Sequence, residues 1–592
     1  MKTLGLGTGA DSGAAVVEDG RILAAVNEER LCRWKMVEGF PRGSIREVLR
    51  LSDTDRSTVD CIMVGATEEP WIDDLMRFDG WFQTELRGVK GAIKKAAGSL
   101  APYRDLLPFL EAGYYAIQQP QYLRRKREIR RVMAEEFGMH CPLVFVDHHL
   151  CHLASTYYTS GFRDALVISV DGGGDRLSSL VYTVREGRWK FHHKVSAYNS
   201  LGNYYAYVTH ICGFKASKHE GKITGLAASG QPLYRDLLRS FIDEQDGTFH
   251  NRGRCAFQGA VRKLRASLPS DWKREDLAAS IQVHCEDVMR RYVGHWARAT
   301  GLSDVAFAGG VAANVRINEE IHALPEVERI FIHPHMGDGG LSVGAALAAC
   351  IPGIAPEAMS VRARRPIRDV YLGPRLTKKE IEDRLMKEGL TPEAPRQEAI
   401  EERIARLLAD GYVVARAEGR MEYGPRALGN RSILYQPSDR SVNDWLNKNL
   451  KRTEFMPFAP AVLFEQADSL FLDLAGAEHA AEFMTITKHC SPWMRRHMSG
   501  VVHLDGTARP HLVRRDINRG FYDIISAFRR RTGLPGIINT SFNMHEEPIV
   551  CSVDDCVRAF LLGNIDYLAI GGHLVKHPRA AARELRPAPR AA

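Results

Sequence analysis

The sequence predicts an α/β protein in which a glycine-rich unit of strand, turn and strand occurs twice and a further α/β region follows. The first copy lies at 3–26, where two short apolar runs flank Gly and Asp residues and a second turn falls at Asp19-Gly20. The pattern returns at 165–182, with its next turn near Glu186-Gly187. A third glycine pair, Gly309-Gly310, ends another apolar run. The repetition therefore predicts a duplicated unit.

Phosphate binding gives these glycine repeats a physical purpose. Gly residues let backbone N–H groups approach oxyanions closely, and each Asp in the turns can hold a metal ion or a water molecule. Two such hairpins facing one cleft are the arrangement of the sugar-kinase, actin and heat-shock chaperone superfold. After Gly309-Gly310 a helix is predicted from about Ala312, and its N-terminus would meet a nucleotide. We therefore expect a first domain of the sugar-kinase/actin-like class that binds a nucleotide.

A change of composition marks the predicted domain boundary. The stretch between Cys350 and Leu376 is rich in Pro and Arg and lacks periodicity. We expect a first domain at 1–352, a linker at 353–376 and a second domain at 377–592. Beyond the linker the sequence predicts helices at 378–388 and 398–410 and a strand at 412–417. The second domain is therefore also expected to be α/β.

Composition excludes several classes of protein. Hydrophobic residues make up 45% and charged residues 26% of the 592 positions, as in ordinary globular proteins, so a wholly disordered chain or a fibre is excluded. The net charge of +8 is spread thinly, without a long basic run. This balance suits anionic small substrates at least as well as nucleic acid.

The cysteines and the N-terminal segment help to predict the cellular compartment of the protein. The 11 Cys include no CxxC pair, so neither a disulfide framework nor a zinc ribbon is indicated. The first twenty residues carry Asp11, Glu18 and Asp19 and lack a secretory pattern, and no apolar run is long enough to span a membrane. We expect a cytoplasmic protein without a membrane partner.

A histidine pair and two aspartates form a candidate metal site. His148 and His152 stand at i and i+4, so a helix would project both imidazoles from one face. Asp171 and Asp338 lie in glycine-rich turns, and two imidazoles with carboxylates suit iron(II), manganese or zinc. Half-buried histidines and ordinary turn aspartates remain the alternative. A second pair at His573/His577 lacks carboxylates in its context and predicts no site.

An arginine-rich run in the second domain is a candidate anion site. Arg420, Arg426 and Arg431 lie among Gly and Pro residues, where guanidinium groups and backbone N–H groups can surround a phosphate. The segments 451–460, 506–509 and 539–543 add cations and polar strand ends. The alternative is a set of surface Arg residues in ordinary salt bridges.

These segments resemble the O-carbamoyltransferases of antibiotic and nodulation-factor biosynthesis, which include the cephamycin and tobramycin carbamoyltransferases. The likeness covers nearly the whole chain, and its ten matching segments occur in order. They are 27–35, 147–152, 171–175, 200–205, 220–227, 309–314, 337–340, 424–432, 452–460 and 539–543.

The resemblance implies a first domain similar to the universal tRNA threonylcarbamoyl transferase and a YrdC-like second domain. It implies that carbamoyl phosphate and ATP, with Mg, yield carbamoyl adenylate and pyrophosphate in the second domain. In the first domain the carbamoyl group would pass to a hydroxyl of a small-molecule secondary metabolite, releasing AMP. The resemblance leaves open whether the protein forms a homodimer.

The resemblance also assigns residues to these steps. The metal, iron(II) in the family, would be bound by His148, His152, Asp171 and Asp338. The adenylate would be bound by Lys35, Gly172, Gly173, Gly202, Gly310 and Asn314. Carbamoyl phosphate would be bound by Arg420, Arg426, Arg452, Arg509, Asn539, Ser541 and Asn543. The catalytic residues would be Asp11, His148 and Asp171, with Asp11 replacing the family's loop histidine, which is Ala10 here.

Two other functions fit part of the sequence. A threonylcarbamoyl-type tRNA modification enzyme would share both domains, although the chain has no basic aromatic stripe for RNA. A non-catalytic actin-like nucleotide-binding protein would explain the glycine loops but not the arginine-rich run beside 539–543. A catalytically inactive homologue is the third alternative, because of Ala10.

Overall fold

The computed structural model describes residues 1–82, 109–355, 364–394, 397–450, 458–579 and 585–589. The chain divides into two compact units. The first unit comprises Met1–Leu23 and Met36–Pro366, and the second comprises Ala24–Lys35 and Ile367–Ala592. Residues 24–35 therefore belong with the C-terminal part of the chain, which the sequence did not lead us to expect.

The strands follow in chain order. They are β1 (Lys2–Gly7), β2 (Gly13–Glu18), β3 (Arg21–Asn27), β4 (Val37–Glu38), β5 (Cys61–Gly65), β6 (Met76–Arg77), β7 (Leu143–Val146), β8 (Ala165–Gly174), β9 (Leu177–Arg185), β10 (Arg188–Ser196), β11 (Asp243–Gln245), β12 (Thr248–His250), β13 (Asp304–Ala308), β14 (Arg329–Ile332), β15 (Val414–Ala417), β16 (Arg431–Tyr435), β17 (Ala459–Leu463), β18 (Lys488–His489), β19 (Thr507–Ala508), β20 (His511–Val513), β21 (Gly536–Ser541), β22 (Tyr567–Ile570) and β23 (His573–Lys576).

The α-helices are α1 (Glu28–Cys32), α2 (Arg42–Leu51), α3 (Phe109–Glu135), α4 (His148–Ser160), α5 (Leu201–Ile211), α6 (Glu220–Ala227), α7 (Arg235–Arg239), α8 (Phe257–Ser267), α9 (Arg274–Thr300), α10 (Val315–His322), α11 (Leu341–Ala348), α12 (Lys378–Lys387), α13 (Ile400–Ala409), α14 (Ser441–Asn449), α15 (Ala467–Leu470), α16 (Glu478–Glu482), α17 (Pro492–His497), α18 (Arg519–Thr532) and α19 (Val553–Leu562). Short 3₁₀ helices lie at Arg56–Thr58, Ala197–Asn199, Gly310–Ala313, Asp338–Gly340, Phe464–Gln466 and Ser499–Val501.

Two five-stranded sheets with the same strand order repeat in the N-terminal part of the chain. Their orders are β3-β2-β1-β5-β7 and β10-β9-β8-β13-β14. In each sheet the central strand pairs antiparallel with the strand that follows it and parallel with a later strand, as β1 does with β2 and β5 and β8 does with β9 and β13. The fifth strand is again parallel to the fourth. This repeat confirms the predicted duplicated α/β fold.

Helices α11 and α4 fill the space between these sheets. Helix α11 packs on β1, helix α4 packs on β8 and β13, and the two helices pack on each other. All eight residues of α11 are buried, and they are small or aliphatic. A Cβ at Gly5 would lie 1.9 Å from the Ser342 carbonyl oxygen, and one at Gly344 would lie 2.1 Å from the Cys151 carbonyl oxygen. Glycine at both positions therefore sets the helix spacing, and with it the position of the first turn of α4.

The second unit contains a mixed seven-stranded sheet in the order β20-β17-β21-β16-β15-β22-β23. Helices α13 and α18 pack together, and α18 also lies on β17 and β21. The predicted helices at 378–388 and 398–410 are α12 and α13, and the predicted strand at 412–417 is β15. Helix α12 begins with a capping box of Thr377 and Glu380, which fixes its first turn. The predicted α/β class of this part of the chain is confirmed.

The passage from the first unit to the second follows Pro366, inside the stretch 353–376. The functional boundaries at 352 and 377 stay predictions. Among the described residues, no helix combines the length and apolar composition needed to cross a bilayer.

Candidate metal centre and anion site

Four side chains of the first unit converge in one place. The ligand atoms of His148, His152, Asp171 and Asp338 all lie within 4.8 Å of one another. The two imidazole Nε2 atoms are 3.1 Å apart, and Asp171 Oδ2 is 3.1 Å from the Nε2 of His152. Asp338 Oδ1 lies 3.6 Å from each Nε2 atom. Metal–ligand bonds of about 2.1 Å place neighbouring donors about 3 Å apart, so one ion can be shared by this group.

Local structure explains why these four residues meet. Asp147 caps α4 by accepting a hydrogen bond from Leu150 N–H at 2.9 Å, and both histidines lie in the first turns of that helix. Asp171 lies near the end of β8, the central strand of the second sheet. Asp338 begins the 3₁₀ turn that leads into α11. The packing of α4 on α11 and β8 therefore assembles the group.

The electrostatics of the group favour a cation. Burial would lower the pKa of His148, but the nearby carboxylates of Asp171 and Asp338 raise it to about 10. Burial would raise the pKa of Asp171, but the neighbouring imidazoles of His148 and His152 hold it well below its usual value. Two imidazoles and two carboxylates without a thiolate fit iron(II), manganese or zinc. The residues present therefore fit the metal that the sequence predicted.

Asp175 supports this centre, and sequence reasoning did not assign it a role. Its carboxylate accepts hydrogen bonds from the backbone N–H groups of His148 at 2.8 Å, Thr67 at 2.8 Å and Glu68 at 2.7 Å. The first turn of α4 is thereby tied to the loop after β5. The available signal was the position of Asp175 at the end of the 171–175 segment.

Three of the glycines predicted to bind adenylate surround Asp171. Gly172 follows it directly, and Gly310 N–H donates to its Oδ2 at 2.8 Å. A Cβ at Gly202 would lie 3.1 Å from the Asp171 carbonyl oxygen. Gly173 is the next residue of β8. The structure therefore brings these glycines to the candidate metal centre, and their contact with adenylate stays a prediction.

The other two adenylate predictions fall elsewhere in the chain. Asn314 is the N-cap of α10, and its side chain donates to Gln282 Oε1 at 2.8 Å. A helix predicted from about Ala312 is therefore α10, preceded by a 3₁₀ turn. Lys35 is exposed and ends the 24–35 segment of the second unit.

Asp11, the predicted base, lies in the turn between β1 and β2 with a left-handed φ of 53°. Its Oδ2 is 3.4 Å from the Nε2 of His335. A Cβ at Gly339, directly after Asp338, would lie 2.3 Å from the same oxygen. The structure therefore places Asp11 against the turn that carries one metal ligand. Its role as a base stays a prediction.

Glu69 and Arg125 adjoin the same turn, and no sequence motif pointed to either residue. The Arg125 guanidinium is fully buried and lies 3.0 Å from Glu69 Oε2, and it donates to Thr8 Oγ1 at 2.7 Å. Burial raises the pKa of Glu69, and Arg125 opposes that rise. A Cβ at Gly9 would lie 2.3 Å from Glu69 Oε1. This ion pair therefore supports the turn that presents Asp11.

Two arginines of the second unit, Arg426 and Arg509, are half-buried and lie close enough for their charges to interact. Within the part of the chain that the structure describes, the Nε atoms of Arg426 and Arg509 are buried and make no hydrogen bond. Burial lowers the pKa of Arg426 to about 10, and burial together with the charge of Arg426 lowers that of Arg509 well below its usual value. Buried cations require a counter-charge. The pair therefore fits an anion such as a phosphate.

The backbone beside Arg426 is held by polar side chains. We call residues 422–428 the donor loop. Asn539 Nδ2 donates to the Ala427 carbonyl oxygen at 3.0 Å and lies 3.1 Å from His511 Nδ1. Glu422 Oε1 accepts from the N–H group of Leu428 at 2.8 Å. Burial lowers the pKa of His511 to about 3, so this imidazole is neutral near pH 7.

The other predicted donor-site residues have different surroundings. Arg420 donates to the carbonyl oxygens of Leu372 and Gly373 and lines a cavity of about 480 Å³ that Arg426 and Arg509 do not line. Arg431 is completely buried and donates to the Glu418 carbonyl oxygen. Ser541 ends β21, and Asn543 donates to the carbonyl oxygens of Met544 and Glu547. Arg452 lies outside the described residues.

Known proteins resemble this chain over nearly its whole length. A model of the carbamoyltransferase N-terminus matches residues 2–347, and a model of the carbamoyltransferase C-terminus matches 405–577. Nodulation protein NolNO of Sinorhizobium fredii is 33% identical, over 97% of this chain and 80% of that protein. Uncharacterized protein sll1178 of Synechocystis sp. is 32% identical, over 97% of this chain and 96% of that protein. Nodulation protein NolO of Bradyrhizobium diazoefficiens is 34% identical, over 74% of this chain and 80% of that protein.

Among solved structures, HypF of T. kodakarensis has 12% identity and a TM-score of 0.31, over 58% of this chain and 47% of that one. This structural similarity is too low to support the fold assignment. The assignment rests instead on the strand order of the sheets. The fold and the family models define a transferase built from two α/β parts. The chain belongs to the carbamoyltransferase family. The resemblance drawn from its motifs is confirmed.

Proposed function

We propose that this carbamoyltransferase is an O-carbamoyltransferase that uses carbamoyl phosphate and ATP and acts on a hydroxyl of a small-molecule secondary metabolite. The observation that carries the proposal is the pair of sites described above. One is a metal centre of two histidines and two aspartates, and the other is a half-buried pair of arginines with no hydrogen bond to either Nε among the described residues. Each site fits one half of a two-step transfer.

The first step belongs to the second unit. Carbamoyl phosphate, ATP and water yield carbamoyl adenylate, pyrophosphate and phosphate, so the four phosphoryl groups that enter are the four that leave. Arg426 and Arg509 bind the phosphate of carbamoyl phosphate, since guanidinium groups attract phosphate oxygens strongly. Asn539 holds the Ala427 carbonyl oxygen and so fixes the backbone that carries Arg426.

The second step belongs to the first unit. The acceptor oxygen forms a bond to the carbamoyl carbon, the bond from that carbon to the phosphate oxygen breaks, and AMP leaves. Asp11 accepts the hydroxyl proton. A divalent ion held by His148, His152, Asp171 and Asp338 would supply positive charge that stabilises the carbonyl oxygen and the leaving phosphate. The glycines at 172, 202 and 310 leave room for the adenylate beside Asp171.

The test is a measurement of pyrophosphate and AMP from the purified protein. The protein receives ATP, Mg, carbamoyl phosphate and iron(II), with and without alcohols of the aminoglycoside, macrolide, β-lactam and guanidinium-alkaloid classes. We expect pyrophosphate to depend on carbamoyl phosphate, and one class of alcohol to raise AMP release. Absence of both products from metal-loaded protein would contradict the proposal.

Two variants separate the steps. His148→Ala is expected to abolish carbamoyl transfer and to leave pyrophosphate release within about twofold of wild type, because it removes a metal ligand from the first unit only. Arg426→Ala is expected to stop pyrophosphate release, because it removes a cation from the donor loop. Loss of both activities in His148→Ala, or full pyrophosphate release by Arg426→Ala, would contradict the two-site assignment.

A further inference from the structure

A short helix from the start of the chain contacts the donor loop. Helix α1 belongs to the second unit, although it lies before residue 36. Its Arg30 side chain is buried, with 6% of the residue exposed. Arg30 Nη2 donates to the carbonyl oxygen of Gly424 at 2.7 Å. Gly424 stands two positions before Arg426, the predicted ligand of carbamoyl phosphate.

The Gly424 contact fixes one end of the donor loop. Gly424 has a φ of +101°, a backbone conformation that favours glycine, and Pro425 follows it. At the other end, Asn539 holds the carbonyl oxygen of Ala427, and Glu422 holds the N–H group of Leu428. The backbone on both sides of Arg426 is therefore held, and on its N-terminal side Arg30 adds a side-chain hydrogen bond to the one that Tyr423 N–H donates to the Val370 carbonyl oxygen.

Helix α1 is itself firmly anchored. Arg33 Nη1 and Nη2 each donate at 2.7 Å, to the carbonyl oxygens of Ile549 and Pro548, and Arg33 Nε lies 3.1 Å from Asp555 Oδ1. Leu31 packs on a buried cluster that contains Met421 and Ala427, two residues that flank or belong to the donor loop. Arg33 and Leu31 therefore stabilise helix α1 on the second unit, whereas the hydrogen bond to the Gly424 carbonyl oxygen is made by Arg30 itself.

We propose that Arg30 is a positioning residue of the donor site, acting through the Gly424 carbonyl oxygen on the orientation of Arg426. This inference rests on the proposed function, because it takes Arg426 as a ligand of carbamoyl phosphate. It implies that the donor half needs residues 24–35, so the linker does not mark the start of a complete donor domain. Arg30 contacts backbone and not substrate, so it is not a catalytic residue.

The experiment uses the full chain with Arg30→Met, Arg30→Lys and, as a matched control on the same segment, Arg33→Lys. We measure KM for carbamoyl phosphate and kcat in pyrophosphate release, and the unfolding midpoint of each variant. Arg30→Met is expected to raise KM or lower kcat at least tenfold, and Arg30→Lys to recover part of the loss, because its ammonium can still donate to Gly424. Arg33→Lys is expected to lower the unfolding midpoint and to keep KM within about threefold of wild type.

Equilibrium binding of carbamoyl phosphate gives a second readout that does not need turnover. It is expected to weaken at least tenfold in Arg30→Met and to recover in part in Arg30→Lys.

If wild type releases no pyrophosphate, the proposed function fails, and the binding measurement still decides the role of Arg30. Wild-type binding and KM in Arg30→Met would overturn the positioning role. Equal losses in the Arg30 and Arg33 variants, in parallel with their unfolding midpoints, would also overturn it. If Arg30→Met does not fold, Arg30→Lys against Arg33→Lys gives the same comparison.

Discussion

Gly174 lies so close to the imidazole of His148 that a Cβ at position 174 would be 2.2 Å from the ring. No rotation of an alanine methyl group can relieve that overlap, so the imidazole would have to move away from its partner ligands. At the scale of single residues, the proposed metal centre therefore requires a glycine at position 174 as well as its four ligand side chains.

Gly174→Ala is expected to lower metal affinity about 10–100-fold, the range seen when the support of a ligand is lost. Metal content after dialysis, measured by mass spectrometry, checks this. Gly294→Ala is the matched control, because its Cβ would meet only the flexible end of the Arg298 side chain. Wild-type metal content in Gly174→Ala would contradict the assignment of His148 as a ligand.

Glu220 gives the chain a pH-dependent stability. Burial raises the pKa of this carboxyl group from 4.5 to about 7. Between these values the folded chain binds more protons than the unfolded chain, so the free energy of unfolding falls as pH rises from about 4.5 to 7 and is flat above. Glu220→Gln is expected to remove this fall, which amounts to at most about 3 kcal/mol. Urea unfolding of both proteins at pH 5, 6, 7 and 8 checks it, and parallel curves would exclude Glu220 as the source.

At the scale of elements, the N-terminus of α4 joins helix stability to metal binding. Asp147 caps the helix, and Asp175 holds the N–H group of its first residue. Both proposed metal-binding histidines lie in the first two turns. The helix therefore cannot fray at this end without losing two ligands together.

Asp147→Ala is expected to cost about 1 kcal/mol of stability, as for other lost N-caps, and also to lower metal occupancy. Thr377→Ala removes the N-cap of α12 in the second unit and should cost a similar amount of stability with full occupancy. Thermal unfolding and metal analysis of the two variants make the comparison. Equal occupancy in both would show that capping of α4 does not support the metal ligands.

At the scale of the whole molecule, the two proposed steps use different units. One depends on a metal ion and the other on arginine side chains. The proposed metal ligands lie between residues 148 and 338 in the first unit, whereas Arg426 and Arg509 lie in the second. The two steps should therefore respond differently to the removal of a transition metal.

Treatment with 1,10-phenanthroline in excess Mg is expected to abolish AMP release with acceptor and to leave pyrophosphate release within about twofold, because the chelator takes iron or zinc and leaves Mg for ATP. Reloading with iron(II), manganese or zinc in separate samples then identifies the metal that restores transfer. Equal loss of both products would place the metal in the donor step instead.

Much of this protein can be predicted from local sequence. The repeated glycine-rich turns predict the duplicated sheets, because a strand that ends in a tight turn needs Gly at fixed positions. The spacing of His148 and His152, together with two aspartates in glycine-rich turns, indicates the metal centre, because helix periodicity puts i and i+4 on one face. The order of ten short motifs identifies the carbamoyltransferase family.

Other features depend on packing between distant segments. The arginine-rich run looks uniform in sequence, but Arg431 is bound to backbone carbonyl oxygens whereas Arg426 lies close to Arg509, which is 83 residues away along the chain. Residues 24–35 join the second unit because Arg30 and Arg33 satisfy carbonyl oxygens there. No local pattern carries such information, since a carbonyl acceptor has the same chemistry at every residue and only the folded chain selects which donor reaches it.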